Sequence, residues 1–333
     1  LGRPDKLPFI KGDGVTKLII QIPCYNEAKS LPYTLKELPR KVEGLDVVEW
    51  LIIDDGSTDD TVEVAKSLGV NHIVRFTKHQ GLARAFMAGI EACLKLGADV
   101  IVNTDADNQY SAKDIPKLVS PVLEGMADMV IGTRSIKEIE HFSFIKKFLH
   151  KLGSFVVRLV SRTEVPDAPS GFRALSKEAA MKLNVFNEYT YTLETIIQAG
   201  QKNMAVLSVP ITVNEDLRPS RLIKSIPSYL IKSLSTIVRI FVVYKPFRFF
   251  FTVGLILFGS GFLIGLRYLY YYFTTGGAGH IQSLILAAIL LGMGFQTIMV
   301  AFLADLLSVN RKLMEEVQYR LRKSDLKVGQ RNP

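Results

Sequence analysis

Short apolar runs recur through the first two thirds of the chain, each closed by turn-forming or acidic residues and most followed by a stretch with helical spacing. Segments 17–23, 48–54, 70–76, 100–102, 128–132 and 204–213 read as strands. Between them, helices are expected up to about Arg40, from His79-Gln80-Gly81 to about Leu96, over 113–124 and over 142–160. This alternation predicts an α/β domain built on a doubly wound, mostly parallel sheet. Val100, Ile101 and Val102 form a β-branched run, which places that strand in the buried centre.

The pattern then changes. Over 222–247, Ile223, Ile226, Leu230 and Leu234 alternate with Lys224, Lys232 and Arg239 at helical spacing. Such helices lie in a bilayer interface, the other reading being a helix packed on the preceding domain. Pro227 and Pro246 break the path into a first apolar span, 249–273, whose one charge is Arg267 near an end. A second span covers 284–304, and 268–304 contains no Asp, Glu, Lys or Arg. The organisation expected is a catalytic domain over 1–215, juxtamembrane helices over 216–248, a two-helix transmembrane hairpin over 249–307 and a basic tail over 308–333. Within that tail 315–323 reads as a charged helix and the last ten residues as disordered.

Lys245 and Arg248 precede the first span, and Arg311, Lys312, Arg320, Arg322 and Lys323 follow the second, whereas the turn 275–280 carries no Lys or Arg. Both flanks are therefore expected on the cytoplasmic side, with the hairpin in a bacterial inner or plasma membrane. Gly254, Gly259, Gly261, Gly265, Gly292 and Gly294 would allow close packing against other subunits, so a homo-oligomer is compatible with the spans.

Charge supports the membrane reading. Lys and Arg number 41 against 32 Asp and Glu, and the excess crowds beside the spans, which fits anionic lipid head groups and not nucleic acid. Cys24 and Cys93 lack metal-ligand spacing and are expected as free thiols. No secretory leader pattern opens the sequence, so targeting is expected to fall to the spans. His72, His79, His141, His150 and His280 form no metal-spaced pair and are read as structural.

Candidate chemistry gathers at the predicted strand ends. Asp105 and Asp107 follow the central strand, where ligands bind in open α/β sheets, and residues two apart project to one side. They suit one Mg2+ or Mn2+ shared with a diphosphate, while a turn with Asx hydrogen bonds is the plainer reading. Asp54 or Asp55 faces the same crevice, unless 55–61 is simply a turn in which Ser57 caps a helix and Asp59 and Asp60 meet its dipole. Glu27 caps a helix or helps hold a base. Arg134 either receives a phosphate or pairs with one of the two aspartates. In the turn 167–173, Gly171 permits close backbone approach. Dinucleotide and P-loop readings fail, because neither glycine fingerprint occurs.

Five motifs, Pro23-Cys24-Tyr25-Asn26-Glu27, Asp54-Asp55-Gly56-Ser57-Thr58-Asp59, Asp105-Ala106-Asp107-Asn108-Gln109, Gly132-Thr133-Arg134 and Ser170-Gly171-Phe172-Arg173, come in this order. Their series resembles inverting GT-A family 2 glycosyltransferases, above all the polyprenyl-phosphate branch with its dolichol-phosphate mannose synthases and bacterial glucosyltransferases. The resemblance covers about 18–224 and implies a GT-A domain. It further implies transfer of a sugar, glucose first, from a UDP-linked donor to polyprenyl phosphate, with GDP-mannose as the alternative donor and a non-catalytic nucleotide-sugar-binding scaffold as a further one. Pro23, Tyr25, Glu27, Asp55, Asp105 and Gln109 would line the nucleotide sugar, and Asp107 with Asp105 would hold the metal. Arg134, Lys146 and Ser170 would take the acceptor phosphate, and Arg218, Ser220 and Lys224 would belong to a loop closing over the donor. Asp107, Arg134 and Asp167 are the candidate catalytic residues, although Asp167 and Glu194 have no assigned counterpart in the family pattern. A processive polysaccharide synthase is disfavoured, since the Gln-x-x-Arg-Trp element is missing and Trp50 lies in a strand.

Overall fold

The structure is a computed structural model that describes residues 15–134, 165–185, 191–214, 242–276 and 280–329, with single positions at 158, 161, 163, 235, 238 and 239. They fall into two compact units, one within Leu1–Leu230 and Gln318–Pro333, the other within Ile231–Val317. The expected helix over 142–160, Lys146 and the segment with Arg218, Ser220 and Lys224 lie outside the described residues, Arg158 excepted, as does most of the juxtamembrane stretch.

The first unit is built on β1 (Lys17–Cys24), β2 (Val47–Asp54), β3 (His72–Arg75), β4 (Val100–Asn103), β5 (Met129–Arg134), β6 (Arg173–Ser176) and β7 (Val206–Ile211). Among the described residues they form one sheet in the order β3-β2-β1-β4-β6-β5-β7. Pairing is parallel except at β6, which runs antiparallel to both β4 and β5. The mostly parallel sheet is as expected, but β6 is an addition. Its sequence, Arg-Ala-Leu-Ser, is too short to show a period, and insertion between two longer strands makes it a strand.

Helices cover both faces: α1 (Leu31–Glu37), α2 (Thr61–Ser67), α3 (Leu82–Lys95), α4 (Ile115–Leu123), α5 (Lys177–Lys182) and α6 (Thr192–Gln201). Helix α1 stops short of Arg40 because Leu38 turns extended ahead of Pro39. Helices α5 and α6 were not expected from the sequence; Ser176 starts α5 by accepting the Ala179 N–H at 3.1 Å. Along β1, Leu18, Ile20 and Ile22 join Leu31, Leu35, Leu118 and Val119 in one core. The alternate residue Gln21 lies under α3, beside Gly89. Register aligns Gln21 with Asn103 and Cys24 with Asp54, so the chain leaves β1, β2 and β4 at one edge of the sheet.

The second unit contains α7 (Pro246–Thr275) and α8 (Ile281–Gly329), whose final residues, from Gln318, belong to the first unit. Two helices are long and apolar enough to cross a membrane. They are not core helices of a soluble domain, since Leu263 is 67% and Leu307 68% exposed. Helix α8 runs unbroken from the apolar span into the charged segment, so the expected span and tail helix are one, and 324–329 is helical where disorder was expected. Gly254, Gly261 and Gly294 let α7 and α8 approach each other within the chain: a Cβ on Gly261 would stand 2.9 Å from Leu291 N, and one on Gly254 3.0 Å from Gly294 O. Gly276, at φ +74°, ends α7.

Close packing of α3 on the sheet yields a stability prediction. A Cβ on Gly89 would stand 2.8 Å from Ile53 Cδ1 and 3.0 Å from Gln21 Cδ, and Gln21 is held in place by its bond to Asn103. Gly89→Ala is expected to lower stability by about 1–3 kcal/mol through overpacking. Denaturant unfolding of the purified variant measures this, and an unchanged midpoint would contradict the packing argument.

Candidate active site

The loops leaving β1 and β2 are bonded to each other. Asn26, in the left-handed region at φ 55°, donates its N–H to Ser57 Oγ at 2.9 Å and accepts the Thr58 N–H at 2.8 Å. Glu27 donates its N–H to Thr61 Oγ1 at 2.9 Å, and its carboxylate accepts from Ser30 Oγ just ahead of α1. Ser57 is therefore committed to Asn26 and is not a helix cap; Asp60 stands at the start of α2 without a side-chain bond.

Two neighbouring aspartates end β2 with different tasks. Asp54 is fully buried, accepts the Ser57 N–H at 3.0 Å and pairs with Arg75 at 3.2 Å. Asp55 accepts Gln80 N–H at 2.7 Å on Oδ1 and Gly81 N–H at 2.9 Å on Oδ2, where His79 Nδ1 also lies at 2.9 Å. His79 stacks on Tyr25 with ring centroids 4.1 Å apart, and Tyr25 is 38% exposed. His79 thus belongs to the site rather than to the scaffold. Its signal in the sequence was position, directly ahead of α3 in Lys78-His79-Gln80-Gly81.

Beyond β4 the chain turns, so Asp105 and Asp107 project from a bend and not from extended strand. Thr34 Oγ1 donates to Ala106 O at 3.0 Å and Asn214 donates to Asn108 O at 3.0 Å, which fixes the bend from both sides. Asp107 accepts only the Gln109 N–H, at 3.3 Å, and Asp105 accepts no hydrogen bond among the described residues. Burial, then the charge of Asp107, pushes the Asp105 carboxyl up to about 7 against the pull of Arg134 and Arg173. Two hard carboxylates with open lone pairs and unbalanced charge fit a divalent ion that draws its other ligands from a diphosphate and water. No third His, Cys, Asp or Glu joins them among the described residues.

On the other side of β4, Arg134 ends β5 and grips Asp167. Its Nε donates to Oδ2 at 2.8 Å and its Nη2 to Oδ1 at 3.0 Å. The ion pair considered for Arg134 therefore exists, but its partner is Asp167 and not Asp105 or Asp107. Nη1 makes no hydrogen bond among the described residues, and the side chain keeps 18% exposure. Loop 167–171 brings Gly171 against Asp105, where a Cβ would come 3.1 Å from Oδ2 and 2.9 Å from Tyr191 OH. Ser170 is fully buried and its Oγ has no hydrogen-bond partner among the described residues. Arg134 and Glu27 are near enough to act electrostatically on Asp105, and Tyr25 and Asp55 follow β1 and β2 at the same end of the sheet, where His79 joins them. Glu194 is buried in the first turn of α6.

With this geometry in view, comparison with known proteins is specific. Residues 19–183 match the sequence profile described as Glycosyl transferase family 2. The chain is 30% identical over 214 residues to the UDP-N-acetylglucosamine–dolichyl-phosphate N-acetylglucosaminyltransferase of Methanococcus voltae, covering 57% of this chain and 82% of that one. It is 29% identical over 217 residues to the undecaprenyl-phosphate mannosyltransferase of Micrococcus luteus, covering 62% and 87%. Its fold is similar to glucosyl-3-phosphoglycerate synthase from Mycobacterium tuberculosis, solved with Mn2+, UDP-glucose and glycerol 3-phosphate: TM-score 0.53, 19% identity, covering 69% of this chain and 79% of that one.

The open carboxylates carry a testable cost. A carboxyl raised to about 7 by folding holds a proton that the unfolded chain, with an aspartate pKa of about 3.9, has already released. Stability of the metal-free protein is therefore expected to fall as pH rises from about 4 to about 7, and Asp105→Asn to remove that fall. Thermal unfolding in chelator across this range measures it, and parallel curves for the two proteins would contradict the charge assignment.

Proposed function

The chain belongs to glycosyl transferase family 2, and on that premise we propose that it transfers a sugar, glucose first, from a UDP-linked donor to polyprenyl phosphate with inversion at the anomeric carbon. The observation that carries this reading is the Arg134 guanidinium, held by Asp167 with Nη1 uncommitted among the described residues, and near enough to Asp105 to act on its charge. Both relatives named above carry a polyprenyl-type phosphate in their names but differ in sugar, which supports the lipid phosphate as the shared acceptor.

The donor side favours uracil. A carboxylate has about four acceptor positions, and Asp55 spends three on Gln80, Gly81 and His79. One position remains, which suits the single imino N–H of uracil, whereas guanine presents two adjacent donors that want both oxygens. The stacked Tyr25 and His79 rings supply a flat wall for the base. Pro23, Glu27 and Gln109 complete the lining in this reading.

A polyprenyl monophosphate is largely dianionic near neutral pH, its second pKa being about 6, so it needs no strong base. Its oxygen forms the new bond to C1 as the bond from C1 to the diphosphate breaks, and an α-linked donor gives a β-linked product. Asp107 and Asp105 would hold Mg2+ or Mn2+, which would supply positive charge for the diphosphate leaving group. Arg134 holds the attacking phosphate in line, Asp167 orients Arg134, and the unpartnered Ser170 hydroxyl offers a further hydrogen bond. Lys146 and the loop with Arg218, Ser220 and Lys224 keep their proposed roles at the acceptor and over the donor. The apolar helices α7 and α8 hold the enzyme at the membrane that contains its acceptor, with both basic flanks cytoplasmic.

Two measurements test this. UDP is expected to bind at least about tenfold more tightly than GDP in calorimetry with Mg2+, a difference of about 1.4 kcal/mol; tighter GDP binding would favour the GDP-mannose alternative. Arg134→Ala is expected to lower catalytic efficiency with polyprenyl phosphate about tenfold to a hundredfold, with donor affinity nearly unchanged. A large donor defect with an unchanged acceptor KM would rule out the acceptor role, and absence of any transfer across a panel of nucleotide sugars would favour the scaffold reading.

A further inference from the structure

Arg173 is the bulkiest fully buried side chain in the described chain, and it is a cation without a carboxylate in ion-pair contact. It opens β6, the reversed strand between β4 and β5. Its Nε donates to Ser170 O at 2.8 Å and its Nη2 to Ala168 O at 2.9 Å. Its Nη1 donates to Thr192 O at 2.9 Å and to Thr195 Oγ1 at 2.6 Å, both on α6. A buried guanidinium is costly even when well bonded, and an apolar side chain would fill the same volume more cheaply. What the guanidinium does that an apolar group cannot is hold two backbone carbonyls of one loop in a fixed planar fork.

The rest of that loop is tied as well. Gly171 donates its N–H to Tyr110 OH at 3.2 Å and accepts from Asn103 Nδ2 at 2.9 Å, and Ser170 N–H returns to Asp167 O at 3.3 Å. Asn103 is itself held by Gln21 at 2.9 Å. Apart from Asp167 O, within the loop itself, these partners lie in the sheet, in α6 or at Tyr110 beyond β4, so the loop is fastened to the core at several points. What the loop presents in turn is the Asp167 carboxylate, which grips Arg134.

We infer that Arg173 is a positioning residue for the acceptor side: by fastening loop 167–171 from the core it makes Asp167 present the Arg134 guanidinium in one orientation. The inference rests on the reading of Arg134 as the group that receives the acceptor phosphate. All four hydrogen bonds of Arg173 go to protein groups, and the base wall of Tyr25, Asp55 and His79 shares none of them, so a charge-preserving replacement is expected to alter chiefly the use of the acceptor.

The test uses the full chain in lipid nanodiscs, with UDP as the donor-site probe and a short polyprenyl phosphate as acceptor. Arg173→Lys keeps the charge but cannot span the four acceptors. It is expected to raise the acceptor KM about tenfold through misplacement of Arg134, with the UDP dissociation constant within about twofold of the parent. In an Arg134→Ala background the same change is expected to cost less than about twofold further, because the group it positions is gone. Tyr110→Phe, which removes only the hydroxyl under Gly171, is expected to give the same acceptor-selective, non-additive pattern at about threefold, and carries the test if Arg173→Lys does not fold. Equal losses in both backgrounds, or an unchanged acceptor KM, would overturn the inference. An Arg134→Ala variant whose own acceptor KM is normal would instead overturn the acceptor reading beneath it.

Discussion

The site depends on how the fold manages negative charge at one edge of a parallel sheet. Glu27, Asp54, Asp55, Asp105 and Asp107 all leave the sheet there, and a buried carboxylate needs donors or cations around it. Asp54 has Arg75 and a backbone N–H, Asp55 has two backbone N–H groups and His79, and Glu27 has Ser30. Asp105 accepts nothing among the described residues, and its carboxyl is the one pushed up to about 7. Asp54, Asp55 and Glu27 thus each have a donor or a cation beside them, whereas Asp105 has neither in hydrogen-bond contact among the described residues.

The residues proposed to take the donor were legible in the sequence because they are local. Their carboxylates follow the strands directly, and alternation of short apolar runs with helical spacing located β1, β2 and β4 to within a residue or so. The residues proposed to take the acceptor were less legible because they are assembled across the chain. Arg134 was visible at a strand end, but nothing in the spacing joined it to Asp167, 33 positions on. Four-residue β6 has no period to read, and its polar first residue, Arg173, resembles the end of a turn rather than a core position. His79 was missed for another reason: one histidine before a helix has no pattern, and only the stack on Tyr25 gives it a place. In the second unit, the apolar stretches showed two spans, whereas the continuity of α8 past Asp305 was hidden because a change of composition does not end a helix that lacks a Gly or Pro break.

The reversed strand explains how the two halves come to share one crevice. Because β6 lies between β4 and β5 and runs against both, its first residue lies at the same edge where those strands end, opposite Asn103 and Ile131 in register. The loop preceding it therefore arrives at the ends of both strands, with Gly171 small enough to let the Asp105 carboxylate lie against its backbone. A parallel strand in that slot would deliver its preceding loop to the opposite edge. Antiparallel insertion is thus what brings Asp167 to Arg134 and both of them to the open carboxylates.

The commitments of these acids also bear on the kind of acceptor. A hydroxyl acceptor needs a general base within reach, and Asp167, the carboxylate beside Arg134, can take a proton only by loosening a two-point grip on Arg134. Asp105 and Asp107 serve best as hard ligands, where protonation would cost the cation. An acceptor that brings its own negative charge removes the need for a base and turns Arg134 from a spectator of Asp167 into the group that holds the nucleophile. The arrangement of acids around a single uncommitted guanidinium edge favours a phosphate over a hydroxyl on electrostatic grounds, independently of the membrane helices that favour a lipid.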